Sequence, residues 1–131
     1  MLRLLPTAAL AALALALSAC GDDGEFKTDR PILRLSLDEY RIVPQNIVVK
    51  QGRMKFVVRN TGRLTHNLVV QIPEGPDGKP VDLPGGRTDT MQPGETAPPI
   101  KVTLLPGEYR LVCTIANHDD LGQYGSLEVE P

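Results

Sequence analysis

From Pro31 onward the chain consists of short β-branched runs broken by Gly, Pro and Asn, with no apolar repeat at helical spacing. That pattern specifies strands and turns. Strict alternation over 32–37 sets Ile32, Arg34 and Ser36 on one face and Leu33, Leu35 and Leu37 on the other, so the leucine face is predicted to be buried. Further strands are predicted over 47–49, 54–59, 67–72, 100–105, 109–113 and 126–129, with turns at Gln51-Gly52, Asn60-Thr61-Gly62 and Pro106-Gly107. Residues 73–99, rich in Pro and Gly, are expected to cross the surface as a long loop. About seven short strands in about 100 residues match an all-β, antiparallel two-sheet sandwich. With no Trp and two Phe, its core must come from Val, Ile and Leu.

The N-terminus belongs to a different category. Arg3 is followed by an Ala/Leu run over 8–17 and then by Leu17-Ser18-Ala19-Cys20. A basic residue, a short apolar run and small residues make a signal peptide. Leu-Ser-Ala-Cys resembles the lipobox of bacterial lipoproteins, which implies lipidation at Cys20; the alternative is an ordinary signal peptide cut nearby. The expected organisation is therefore a signal peptide over 1–19, a lipid-attached flexible tether over 20–30 and one domain over 31–131. Cleavage would take 19 of the 131 residues and Arg3 with them, leaving 112 residues with 13 basic and 16 acidic groups, a charge of −3. That balance carries no nucleic-acid footprint. It also leaves Cys113 as a lone thiol in an exported protein, where oxidising conditions favour pairing.

A function for that sulfur is written close by. Cys113, His118 and Gln123 form C-x4-H-x4-Q, and His66 lies upstream in Leu64-Thr65-His66-Asn67-Leu68. A loop joining two adjacent strands can present all three of the first set to one point, with His66 arriving from a neighbouring strand end. One thiolate and two imidazoles suit both Cu(I) and Cu(II), with a weak fourth donor on the axis. The chain has two His and one thiol beyond the lipobox, and all three fall in this pattern. Singly, each residue could be ordinary: a surface histidine, or a cysteine serving as a small core hydrophobe.

Residues 54–72 and 106–129 resemble the blue-copper cupredoxins. The resemblance rests on Asn60-x-Gly62 before the first histidine, on His66-Asn67 and on Gly107-x-Tyr109-x3-Cys113. It continues through His118-x4-Gln123 and Gly125-x-Leu127-x-Val129. It implies an eight-stranded Greek-key β-sandwich with one type 1 copper ion at one end, held by His66, Cys113, His118 and Gln123. It also implies that Asn67 and Thr114 hydrogen-bond across the two ligand loops. Gln stands where the family usually has Met; an amide oxygen is the harder donor and would lower the reduction potential. Alternatives for the axial site are a water-facing Gln123 with three-coordinate copper, the carbonyl of Thr65, or Met91.

The resemblance implies that electrons leave through His118, the ligand nearest solvent. Ile115, Ala116, Leu121 and Leu64 could form a small docking patch around it. Asp119 and Asp120 would steer a basic redox partner such as a c-type cytochrome, or a membrane oxidase or reductase, unless they merely solvate the loop. The expected protein is a monomeric one-electron carrier, lipid-anchored and facing the periplasm or the cell exterior. Copper storage or delivery is the second reading and a metal-free interaction module the third. No phosphate cradle, nucleophile motif or further His-rich copper centre is present to support an enzyme.

Overall fold

The computed structural model describes residues 24–131. The signal peptide and Cys20 lie outside the described residues. Ten strands follow in chain order: β1 (Phe26–Thr28), β2 (Ile32–Asp38), β3 (Arg41–Val43), β4 (Asn46–Lys50) and β5 (Gly52–Asn60). The rest are β6 (Val69–Ile72), β7 (Val81–Arg87), β8 (Ile100–Leu104), β9 (Gly107–Val112) and β10 (Tyr124–Glu130). They form a six-stranded sheet, β1-β4-β10-β9-β6-β7, and a four-stranded sheet, β3-β2-β5-β8.

The core lies between the sheets. Leu33, Leu35 and Leu37 are buried as the alternation requires, with Phe56 and Val58 beside them and Ile47, Val49, Leu111, Leu127 and Val129 from the larger sheet. Each such side chain withdrawn from water contributes about 1.5–3 kcal/mol.

Three features depart from the sequence reading. The sheets are mixed: β1 and β10 both run parallel to β4, and β2 runs parallel to β5. Chain-adjacent strands often sit in different sheets, so spatial neighbours come from distant segments in either direction. Within the segment 20–30, expected to be flexible, Phe26, Lys27 and Thr28 instead form a strand paired with Ile47, Val48 and Val49. Lys27 and Lys50 both reach Glu130, at 2.8 and 3.2 Å. Finally, the excursion over 73–99 contains β7, paired with β6 through an irregular register. Its Pro84-Gly85-Gly86 hides the strand pattern, and an edge position is where a sheet tolerates proline.

The outer face of the small sheet is cationic. Arg34, Arg53, Lys55, Arg59 and Lys101 point away from the core, with Lys55 directly opposite Lys101. Among the described residues none of the five forms an ion pair.

Candidate metal centre

Strand β9 ends at Val112 and β10 begins at Tyr124, so residues 113–123 link two antiparallel neighbours. The link is a series of tight turns. The N–H of His118 donates to Ile115 O at 3.1 Å, that of Gly122 to Asp119 O at 3.1 Å and that of Gln123 to His118 O at 3.0 Å. Cys113 N–H closes the loop onto Gln123 O at 3.1 Å. Gly122 sits at φ 114°, a conformation that favours a residue without a Cβ.

His66 is fixed from the other side. It exchanges two backbone hydrogen bonds with Met91, at 3.1 and 2.8 Å. Asn60 organises the approach: its Nδ2 donates to Leu64 O at 2.7 Å and to Met91 O at 3.0 Å, while its Oδ1 accepts from Gly62 N at 2.9 Å. This gives the Asn-x-Gly segment a physical task.

The two segments bring His66, Cys113 and His118 together, all buried, with one donor atom from each within 4.8 Å of the others. Cys113 Sγ lies 3.9 Å from His66 Nδ1 and 3.6 Å from His118 Nδ1. Metal–sulfur and metal–nitrogen bonds of about 2.3 and about 2.0 Å, opened to a trigonal angle, would separate S from N by about 3.7 Å. The spacing fits one small, thiophilic transition-metal ion. Burial, and next the neighbouring His66 imidazole, pull the pKa of His118 below its ordinary value, which favours the neutral ring.

Gln123 is wholly buried, so it does not point to water. Its Nε2 donates to Asp38 O at 2.6 Å and to Arg41 O at 3.1 Å, which fixes the amide orientation. Its Oε1 is left buried without a hydrogen-bond partner. An orphaned acceptor normally costs about 1–3 kcal/mol, and a cation would satisfy it. Met91, another of the axial alternatives, is buried in the hydrophobic cluster.

The turn between β2 and β3 carries residues that the sequence reading missed. Between the strand-end carbonyls that hold Gln123, it supplies Glu39, whose Oε1 lies 2.9 Å from His66 Nε2. It also supplies Tyr40, whose ring centroid is 5.1 Å from that of His118. Backbone N–H groups, led by that of Leu64, and the His66 hydrogen bond hold the Glu39 carboxyl down at about 2.

The sequence matches no family profile and no curated protein. Solved structures do match. Dithionite-reduced auracyanin from Roseiflexus castenholzii aligns at TM-score 0.67 and 20% identity, over 79% of this chain and 100% of that one. Auracyanin A, a "blue" copper protein from Chloroflexus aurantiacus, aligns at 0.60 and 15%, over 82% and 100%. This chain has the cupredoxin fold. A multicopper oxidase from Campylobacter jejuni also aligns, at 0.57 and 16%, but over 79% of this chain and only 31% of the oxidase.

Near this cluster Leu64 and Leu121 are exposed, at 43% and 51%, and Ala116 is exposed as well. Ile115 instead packs partly against the core. Asp120 is free in solvent, whereas Asp119 approaches Arg110 at 4.0 Å, which offsets part of its charge. Asn67 and Thr114 are hydrogen-bonded to each other across the two ligand segments.

Proposed function

We propose that this cupredoxin-fold chain binds one copper ion through His66, Cys113, His118 and Gln123 and works as a one-electron carrier. The observation that carries the reading is the buried convergence of two imidazole Nδ1 atoms on one thiol, together with the unpartnered amide oxygen of Gln123, whose backbone carbonyl accepts from Cys113 N–H. Copper supplies the change between Cu(I) and Cu(II). The chain's own residues hold the donors in place: the Cys113–Gln123 backbone bond, the Asn67–Thr114 pair and the carbonyls of Asp38 and Arg41 restrict movement when the charge changes. Rigid donors keep reorganisation small, which suits electron transfer. The auracyanin alignments, one of them to a "blue" copper protein and one to a reduced form, support the same reading.

The proposed setting is a monomer held to a membrane through lipidated Cys20, exchanging electrons with a redox protein that docks near Leu64 and Leu121. The chain covers about one third of the multicopper oxidase it aligns with, and among the described residues one His/Cys cluster is present, so a carrier fits better than an oxidase.

Copper titration of the metal-free chain tests the assignment. An intense thiolate-to-copper absorption, a narrow copper hyperfine splitting in electron paramagnetic resonance and reversible voltammetry are expected. Loss of copper to an apo acceptor, without reversible electrochemistry, would favour delivery over electron transfer. No charge-transfer band at all would overturn the copper site.

A further inference from the structure

Glu39 stands at the junction between the β2–β3 turn and the His66 segment. Both of its oxygens accept from the N–H of Arg63, at 2.9 and 3.1 Å, and Oε1 also accepts from the N–H of Leu64 at 2.8 Å. The same Oε1 lies 2.9 Å from Nε2 of His66. A carboxylate already receiving backbone N–H groups is an acceptor, so Nε2 is the nitrogen that carries hydrogen. The other ring nitrogen, Nδ1, is then the one with a free lone pair, and it faces Cys113 Sγ at 3.9 Å. His66 is fully buried, which leaves its ring no solvent partner that could reverse this choice.

We propose that Glu39 is a positioning residue for the copper centre. It fixes the His66 tautomer so that Nδ1 is offered to the metal, and its charge stabilises Cu(II) over Cu(I). This rests on the copper reading. The physical basis is that a carboxylate hydrogen-bonded to a ligand imidazole orients the ring and makes it a stronger donor. The negative charge is passed to the site through a buried ring, where screening by water is weak. A purely structural role is the competing account, since the two backbone N–H groups would tie the loop to the turn whatever His66 did.

Two measurements on the full chain separate these accounts. The first uses copper-free protein without substitution: nitrogen NMR of the imidazoles is expected to show His66 protonated at Nε2 and bare at Nδ1. A proton on Nδ1 overturns the positioning role, whether or not the chain binds copper. The second compares copper-loaded wild type with Glu39→Gln, which keeps an acceptor oxygen and removes the charge. Affinity for Cu(II) is expected to fall about 10-fold relative to Cu(I), which is a rise of about 59 mV for a one-electron couple. An unchanged potential overturns the electrostatic role and leaves the loop tie as Glu39's function. The expected tautomer in a chain that takes up no copper would overturn the copper reading instead.

Discussion

Asn67 and Thr114 are joined by two hydrogen bonds that cross between the ligand segments: Nδ2 donates to Oγ1 at 2.9 Å, and the backbone N–H of Thr114 donates to Oδ1 at 2.8 Å. Each residue follows directly after a donor, His66 or Cys113, so the pair limits how far those two donors can separate. Asn67→Ala removes both bonds and is expected to destabilise the copper-free fold by about 1–3 kcal/mol. Its urea midpoint measures this, and an unshifted midpoint would mean that the pair contributes nothing.

Cys113→Ser should eliminate the charge-transfer colour while the far-ultraviolet strand spectrum of the copper-free protein stays as in wild type. The core is built from both sheets and does not require the metal. Chelation of copper from the wild type should likewise leave that spectrum unchanged. Retained colour in the serine variant would remove Cys113 from the ligand set.

Gln123→Met exchanges an amide oxygen for a softer thioether and is expected to raise the reduction potential. Voltammetry of the two proteins decides it. Identical potentials would mean that the buried Oε1 does not touch the metal.

The acid limb of stability should carry the signature of Glu39. Its folded pKa, about 2, lies below the ordinary 4.5, so its contribution is complete above pH 4.5, declines as the pH falls and is gone below about 2. Urea midpoints of copper-free wild type and Glu39→Gln, taken from pH 6 downward, should therefore converge as acid is added (the interval follows from the linkage relation, about one carboxyl titration). A gap that stays constant across this range would contradict the depressed pKa.

Gly125 is buried in β10, and a Cβ there would run into the carbonyl of Gln45. Gly125→Ala is expected to cost about 1–3 kcal/mol through overpacking. Calorimetry would read this as a lower melting temperature; an unaltered one would show that the Gln45 segment yields freely.

The parts of the site that were legible in the sequence are those where chemistry restricts the residue type. Only a thiol and imidazoles make a soft trigonal set, so Cys113, His118 and His66 could be picked out without a fold. The leucines of β2 were legible because alternation maps directly onto burial. Asp38 and Arg41 were not, since they act through backbone carbonyls that every residue possesses. Glu39 reads as an ordinary solvated acid until the turn brings it to His66. Strand β7 was obscured by Pro84-Gly85-Gly86, and β3 by its three-residue length. The parallel pairings depend on which sheet each connection enters, which no local pattern encodes.

The row of unmatched cations on the small sheet bears on how the molecules behave when crowded together. Two copies meeting through that surface would set Lys55, Lys101 and three arginines of each against their own kind. Face-to-face stacking is therefore opposed by repulsion at low ionic strength, and added salt weakens that opposition. Concentration can therefore rise without this side of the sandwich becoming a seed for aggregation.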